Sequence, residues 1–132
     1  MAVDRSYWGQ LLWVGLGGFV GSAARFAVGG LVHRLAPMSS FPWGTLAVNV
    51  SGCLAIGFLS GLLEIRQLLG PSWRLFLMIG VLGGFTTFSS FAFETLGLLH
   101  ASDMGRAVLN AAAQLVFGLA AAWVGYLGAQ SL

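Results

Sequence analysis

The sequence has 132 residues, of which 58% are hydrophobic and only 8% are charged. Soluble domains usually carry about 25% charged residues, so water is not the main solvent around this chain. The formal net charge is only +2, and the basic residues are spread along the sequence, whereas nucleic-acid binding requires them clustered on one face. Composition therefore indicates a membrane protein and excludes a nucleic-acid partner.

Four apolar segments have about the 20 residues that a helix needs to cross the hydrocarbon core of a bilayer. They run from about Trp8 to Val32, Trp43 to Leu63, Trp73 to Leu99 and Ala107 to Leu127. The first is long for a signal peptide and is followed by three more spans, so we do not expect it to be cleaved. The sequence predicts an all-α membrane protein, residues 1–132 forming a single domain of four transmembrane helices in the lipid bilayer.

Positive charge is almost evenly divided between the two membrane faces predicted by four spans. One face carries Arg5, Arg66 and Arg74, and the other carries Arg34, Arg106 and, at the end of the first helix, Arg25. Orientation normally follows an excess of Lys and Arg on the cytoplasmic side. So small a bias favours insertion in both orientations and an antiparallel, dual-topology homodimer. A single orientation fixed by smaller differences stays open.

Polar residues concentrate in the third segment, where residues 83–91 read G-G-F-T-T-F-S-S-F. Adjacent glycines lower helix propensity, and hydroxyl side chains compete for backbone hydrogen bonds. We expect the helix to break here and to free backbone carbonyls between Gly83 and Thr87 for a small hard cation. The alternative is an unbroken helix whose Ser and Thr side chains bond to carbonyls four residues earlier.

Phe85, Phe88 and Phe91 recur every three residues in the same segment. Such a stripe usually packs against a neighbouring helix. Aromatic rings also have positive edges, and the interleaved hydroxyls of Ser89 and Ser90 favour a second interpretation, in which the edges attract an anion.

Amides and one arginine complete the candidate polar set. Asn49 lies within the second segment and carries N–H groups that can donate to an anion. Asn110, Gln114 and Gly118 share a face of the fourth segment at a spacing of four. Interhelical hydrogen bonds are the alternative role for these amides. Arg25 either extends to the membrane surface or supplies a positive vestibule that gathers anions.

Three motifs in this order resemble those of the Fluc (CrcB) fluoride channels. Residues 17–26 read G-G-F-V-G-S-A-A-R-F, residues 44–52 read G-T-L-A-V-N-V-S-G, and residues 80–91 read G-V-L-G-G-F-T-T-F-S-S-F. They are similar to the family patterns G-G-x-x-G-A-x-x-R-Y, G-T-L-x-V-N-x-x-G and G-x-x-G-G-x-T-T-F-S-T-F. The resemblance spans essentially the whole chain.

The resemblance implies an antiparallel homodimer with two fluoride pores and a structural sodium ion at its centre. The sodium ligands would be the backbone carbonyls of Gly83 and Thr86 from both subunits, and Arg25 would stand in the vestibule. The implied pore residues are Asn49, Phe88, Phe91, Ser89, Ser90, Asn110 and Gln114. The last two amides and Gly118 stand where the family often has a track of Tyr and Ser. The implied function is passive export of fluoride through the plasma (inner) membrane, which confers fluoride resistance.

Two other classes of membrane protein are alternatives to the channel. A small dual-topology multidrug or cation exporter has similar length but needs an acid in the first helix, and none occurs between Trp8 and Val32. Glu94 of the third segment would have to replace it. A noncatalytic assembly subunit would leave the Asn and Phe motifs without a role. No set of nucleophile, base and acid appears, so we do not expect an enzyme.

Overall fold

The computed structural model describes residues 5–66 and 69–132, and the side chains of Arg5, Ile65 and Arg66 lie outside its description. Within these residues the chain is all-helical, with four spans long and apolar enough to cross a membrane. The elements are α1 (Arg5–Leu35), α2 (Trp43–Arg66), α3 (Pro71–Arg74), a π-helix (Leu75–Leu82), α4 (Gly83–Phe85), α5 (Phe88–His100) and α6 (Met104–Gln130). The third span, Pro71–His100, contains the four elements from α3 to α5. The predicted all-α, four-span fold is confirmed.

Large apolar side chains cover the outside of the bundle. Phe26 is 85% exposed and Leu119 is 71% exposed, whereas few apolar side chains are buried in the core. An apolar surface of this extent makes a soluble monomer aggregate. Lipid chains solvate it, so the bundle is built for the hydrocarbon of a bilayer.

Glycines allow the closest helix contacts. A Cβ atom on Gly125 of α6 would collide with the Leu54 carbonyl of α2, and one on Gly21 of α1 would collide with the Val81 carbonyl of the π-helix. Small residues let helix backbones approach closely in membranes, where packing rather than water exclusion drives association. Two tight pairs result, α2 with α6 and α1 with the first half of the third span.

The third span is broken at its middle. Thr86 (φ −76°, ψ 155°) and Thr87 (φ −151°, ψ 113°) have extended backbones between α4 and α5. The Thr87 hydroxyl accepts a hydrogen bond from the Ser90 N–H at 3.1 Å and so begins α5 as its N-cap. The predicted break is confirmed, and the unbroken alternative is wrong.

Candidate functional site

A cavity of about 410 Å³ lies beside this break, and we call it the central cavity. Its walls come from α2, the third span and α6. The predicted site residues that line it are Asn49, Gly83, Thr86, Phe88, Phe91 and Gln114. The fold thus brings together side chains that are as far apart in sequence as Asn49 and Gln114.

Asn49 holds the broken backbone. Its Oδ1 accepts from the Thr87 N–H at 2.7 Å, and its Nδ2 donates to the Thr87 carbonyl at 3.0 Å. The same Nδ2 donates to Oε1 of Gln114, also at 3.0 Å. A carboxamide has two N–H donors, so both donors of Asn49 are used within the protein. Asn49 therefore supplies hydrogen-bond partners to the backbone N–H and carbonyl of Thr87, which lies outside the helices. It also orients the Gln114 side chain.

The Gln114 amide presents the free donor. Its Nε2 is buried and has no hydrogen-bond partner among residues 5–66 and 69–132. Buried polar groups are almost always paired, so an unpaired donor in a cavity wall calls for an acceptor. A small anion is an acceptor of suitable size and charge for this donor.

Two phenylalanines line the same cavity as this donor. The ring centroids of Phe88 and Phe91 lie 5.3 Å apart, with an angle of 67° between the ring planes. The edge of an aromatic ring is positive and can attract an anion. Phe88 is 79% exposed, so its ring projects beyond the chain that carries it.

The break leaves two carbonyls without their usual helical donors. The Thr87 N–H, which would bond to Gly83 in a continuous helix, donates to Asn49 instead. The Ser90 N–H, which would bond to Thr86, donates to the Thr87 hydroxyl. The described residues contain no cluster of three or more His, Cys, Asp or Glu side chains that could hold a metal. Backbone oxygen at Gly83 and Thr86 is suited to a hard alkali cation.

Three other predicted residues lie outside the lining of the central cavity. The hydroxyls of Ser89 and Ser90 lie 3.2 Å and 3.0 Å from that of Thr87, in a cluster at the start of α5. Asn110 is fully buried, at 0% exposure, and donates to the Thr95 hydroxyl at 2.9 Å. None of these three predicted residues is in the cavity lining.

Arg25 lines a second cavity of about 380 Å³, which we call the terminal cavity, together with Thr45 and Glu94. The Thr45 hydroxyl donates to Oε1 of Glu94 at 2.6 Å. Thr45 precedes Asn49 by four residues, so the terminal cavity lies about one helical turn, roughly 5 Å, from the central cavity along α2.

Two sets of contacts near these cavities were not predicted from the sequence, those of Thr87 and the bond between Thr45 and Glu94. Thr87 acts through its backbone as well as its hydroxyl, and a threonine three residues before Ser90 at a predicted break is the signal for a capping residue. Thr45 and Glu94 are 49 residues apart, and no periodicity relates two helices at that separation. Glu94 was the one sign of this contact in the sequence, because an acidic residue within a membrane span needs a hydrogen-bond or charge partner.

Residues 12–126 match the protein family described as "CrcB-like protein, Camphor Resistance (CrcB)". A relative named "Fluoride-specific ion channel FluC", from Opitutus terrae, is 50% identical over 123 residues, 92% of each chain. Proteins of the same name from Nitratidesulfovibrio vulgaris and Thermus thermophilus are 48% and 47% identical, over 88% and 89% of this chain and 93% and 92% of their own. The family resemblance read from the three motifs is confirmed, and the chain belongs to the CrcB-like protein family.

Proposed function

We propose that this chain is a subunit of a fluoride-specific ion channel that lets fluoride leave the cytoplasm passively. The observation that carries the proposal is the 50% identity, across 92% of both chains, to a protein named as a fluoride-specific ion channel. Its relatives are named as channels and not as enzymes, in agreement with the expectation from the sequence. The protein is a multi-pass membrane protein, and the plasma membrane is its place of action.

Fluoride enters through the terminal cavity, where Arg25 raises the local concentration of anions. It then passes to the central cavity, where the Gln114 amide donates a hydrogen bond and the edges of Phe88 and Phe91 replace water. Asn49 keeps these groups in register through its bonds to Thr87 and Gln114. Binding has to stay weak enough for the ion to leave.

The membrane potential drives the flow. A negative cell interior pushes a monovalent anion outward with about 2.3 kcal/mol per 100 mV. No proton or nucleotide is required, because the gradient and the potential supply the free energy.

The pore is completed by a second copy of the chain in an antiparallel homodimer. Two observations support this part of the proposal. Phe88 is 79% exposed, although its ring borders the central cavity. A Cβ on Gly83 would meet nothing closer than the Met78 carbonyl, at 3.9 Å, so nothing within the chain excludes a side chain there. A partner subunit that approaches Gly83 closely would explain why a residue without a side chain stands there.

A sodium ion at the centre of this dimer would be held by the carbonyls of Gly83 and Thr86. Its positive charge would offset the negative ends of the carbonyl dipoles. In the proposed dimer, the broken third spans of the two subunits direct these dipoles toward each other. The diverted helical donors of both carbonyls support the assignment.

Growth protection separates the channel from the cation exporter, which no comparison supports. Bacteria without their own fluoride export should survive fluoride when they express this chain and should gain no resistance to cationic dyes. Resistance to dyes without resistance to fluoride would refute the channel.

A further inference from the structure

Asn110 has a role that differs from that of the cavity residues, and the inference rests on the proposed fluoride channel. We propose that Asn110 is a positioning residue, which sets the place of Phe91 through Thr95 and does not touch the permeating ion. It stands one helical turn from Gln114 on α6, where the spacing alone suggested a second pore donor.

A chain of two hydrogen bonds joins Asn110 to the backbone of Phe91. The Asn110 Nδ2 donates to Oγ1 of Thr95 at 2.9 Å, and the Thr95 hydroxyl donates to the Phe91 carbonyl at 2.8 Å. A threonine hydroxyl has one proton. Because that proton goes to Phe91, the partner from Asn110 must be an N–H, which fixes the orientation of the amide.

The segment that carries Phe91 depends on such a contact. α5 is separated from the first half of the third span by the extended residues Thr86 and Thr87. Of its 13 residues, all of which the structure describes, Leu98 is the buried one. Side-chain hydrogen bonds tie α5 to α2 through Thr45 and Glu94 and to α6 through Asn110 and Thr95. Loss of one of the two side-chain bonds therefore shifts the ring of Phe91.

Burial argues against direct contact between Asn110 and the ion. Asn110 is 0% exposed, and one of its two N–H groups donates to Thr95. Its Oδ1 has no partner in the described part of the chain, and an acceptor repels an anion. A buried unpaired acceptor is unfavourable, so an apolar residue would suit this position better unless the donor to Thr95 is needed.

A double-mutant cycle with Asn110→Leu and Thr95→Val tests the mechanism. Leucine has a similar size and shape but no donor, and valine removes the hydroxyl that links the two residues. Fluoride efflux per reconstituted dimer should fall several-fold in each single variant. The double variant should conduct no worse than Thr95→Val, because Asn110 has no other route to the pore. Thr95→Ser, which keeps the hydroxyl, should retain near-normal efflux.

Three results would overturn the proposal. A reduction of efflux by the same factor when Asn110→Leu is made with and without Thr95→Val would mean independent action on the ion. Normal efflux in Asn110→Leu would mean no role. Loss of efflux in Thr95→Ser, which keeps the hydroxyl, would point to packing instead of the hydrogen bond. If Asn110→Leu does not yield dimers, Asn110→Ala takes its place in the cycle. Absence of efflux from the unmodified protein would count against the fluoride channel itself and is thus a separate result.

Discussion

In the proposed channel, the side chains of the central cavity have different roles toward a small, strongly hydrated anion. Gln114 offers an unpaired N–H, and Phe88 and Phe91 offer ring edges. Asn49 uses its whole carboxamide on Thr87 and Gln114. A fixed donor inside a low-dielectric site costs no reorganisation when the ion arrives, which is why a positioned amide selects better than a mobile one.

Phe88→Ile tests the ring edges. Isoleucine is apolar and bulky but has no positive edge, so fluoride efflux from liposomes should fall sharply. Phe93→Ile is the matched control, because Phe93 is 78% exposed on the same helix but does not line the central cavity. Equal losses in the two variants would contradict a specific role for the Phe88 ring.

Asn49→Asp tests the hydrogen-bond pattern. An ionised carboxylate has no donor, so acceptors would face the Thr87 carbonyl and Oε1 of Gln114. Efflux should be abolished, and stability should fall by roughly 1–3 kcal/mol for the unsatisfied buried groups. Ser51→Ala on the same helix is the control, since Ser51 donates to its own helix at Ala47. Normal efflux in Asn49→Asp would contradict the assignment.

The elements are held by close backbone contact between paired helices. A Cβ on Gly125 would collide with the Leu54 carbonyl in the α2–α6 pair, whereas a Cβ on Gly128, three residues further along α6, would meet nothing within 4 Å. α6 therefore contains one glycine whose lack of a side chain the helix packing requires, and one at which no neighbour in this chain excludes a side chain.

Gly125→Ala should destabilise the protein by about 1–3 kcal/mol, because the methyl group forces α6 away from α2. Gly128→Ala should be neutral or stabilising by up to about 1 kcal/mol, since alanine favours the helix. Thermal unfolding in detergent measures both. A loss of stability in Gly128→Ala as large as in Gly125→Ala would show that contact with Leu54 is not the cause.

Sequence patterns predicted the spans and the break because their causes are local. Apolar length defines the spans, and G-G followed by T-T weakens the helix at residues 83–87. The partners of individual polar residues are not local. Asn49 was expected to donate to an anion, but its bonds to Thr87 and Gln114 depend on how three spans pack. Asn110 and Gln114 look equivalent at a spacing of four, yet one points to Thr95 and the other to the central cavity.

At the scale of the whole molecule, the chain is one half of a proposed assembly. Exposed Phe88 and the open space at Gly83 lie on a face that a partner would complete. The balanced arginines allow that partner to insert in the opposite orientation.

Dual topology predicts that two populations coexist in one membrane. In a Cys53→Ser background, Gln130→Cys places a single thiol at the end of α6. A membrane-impermeant maleimide added to intact spheroplasts should label about half of the protein, and permeabilisation should allow the remainder to react. Labelling of all or none before permeabilisation would establish one orientation and contradict the antiparallel dimer.

Fluoride efflux from liposomes containing the purified protein tests the central claim most directly. A fluoride electrode records release after a potassium ionophore removes the opposing potential, and a chloride electrode records the same experiment with chloride inside. The channel predicts rapid fluoride release and chloride release no faster than from empty liposomes. No fluoride release from well-folded protein, or equal release of the two ions, would contradict a fluoride-specific pore.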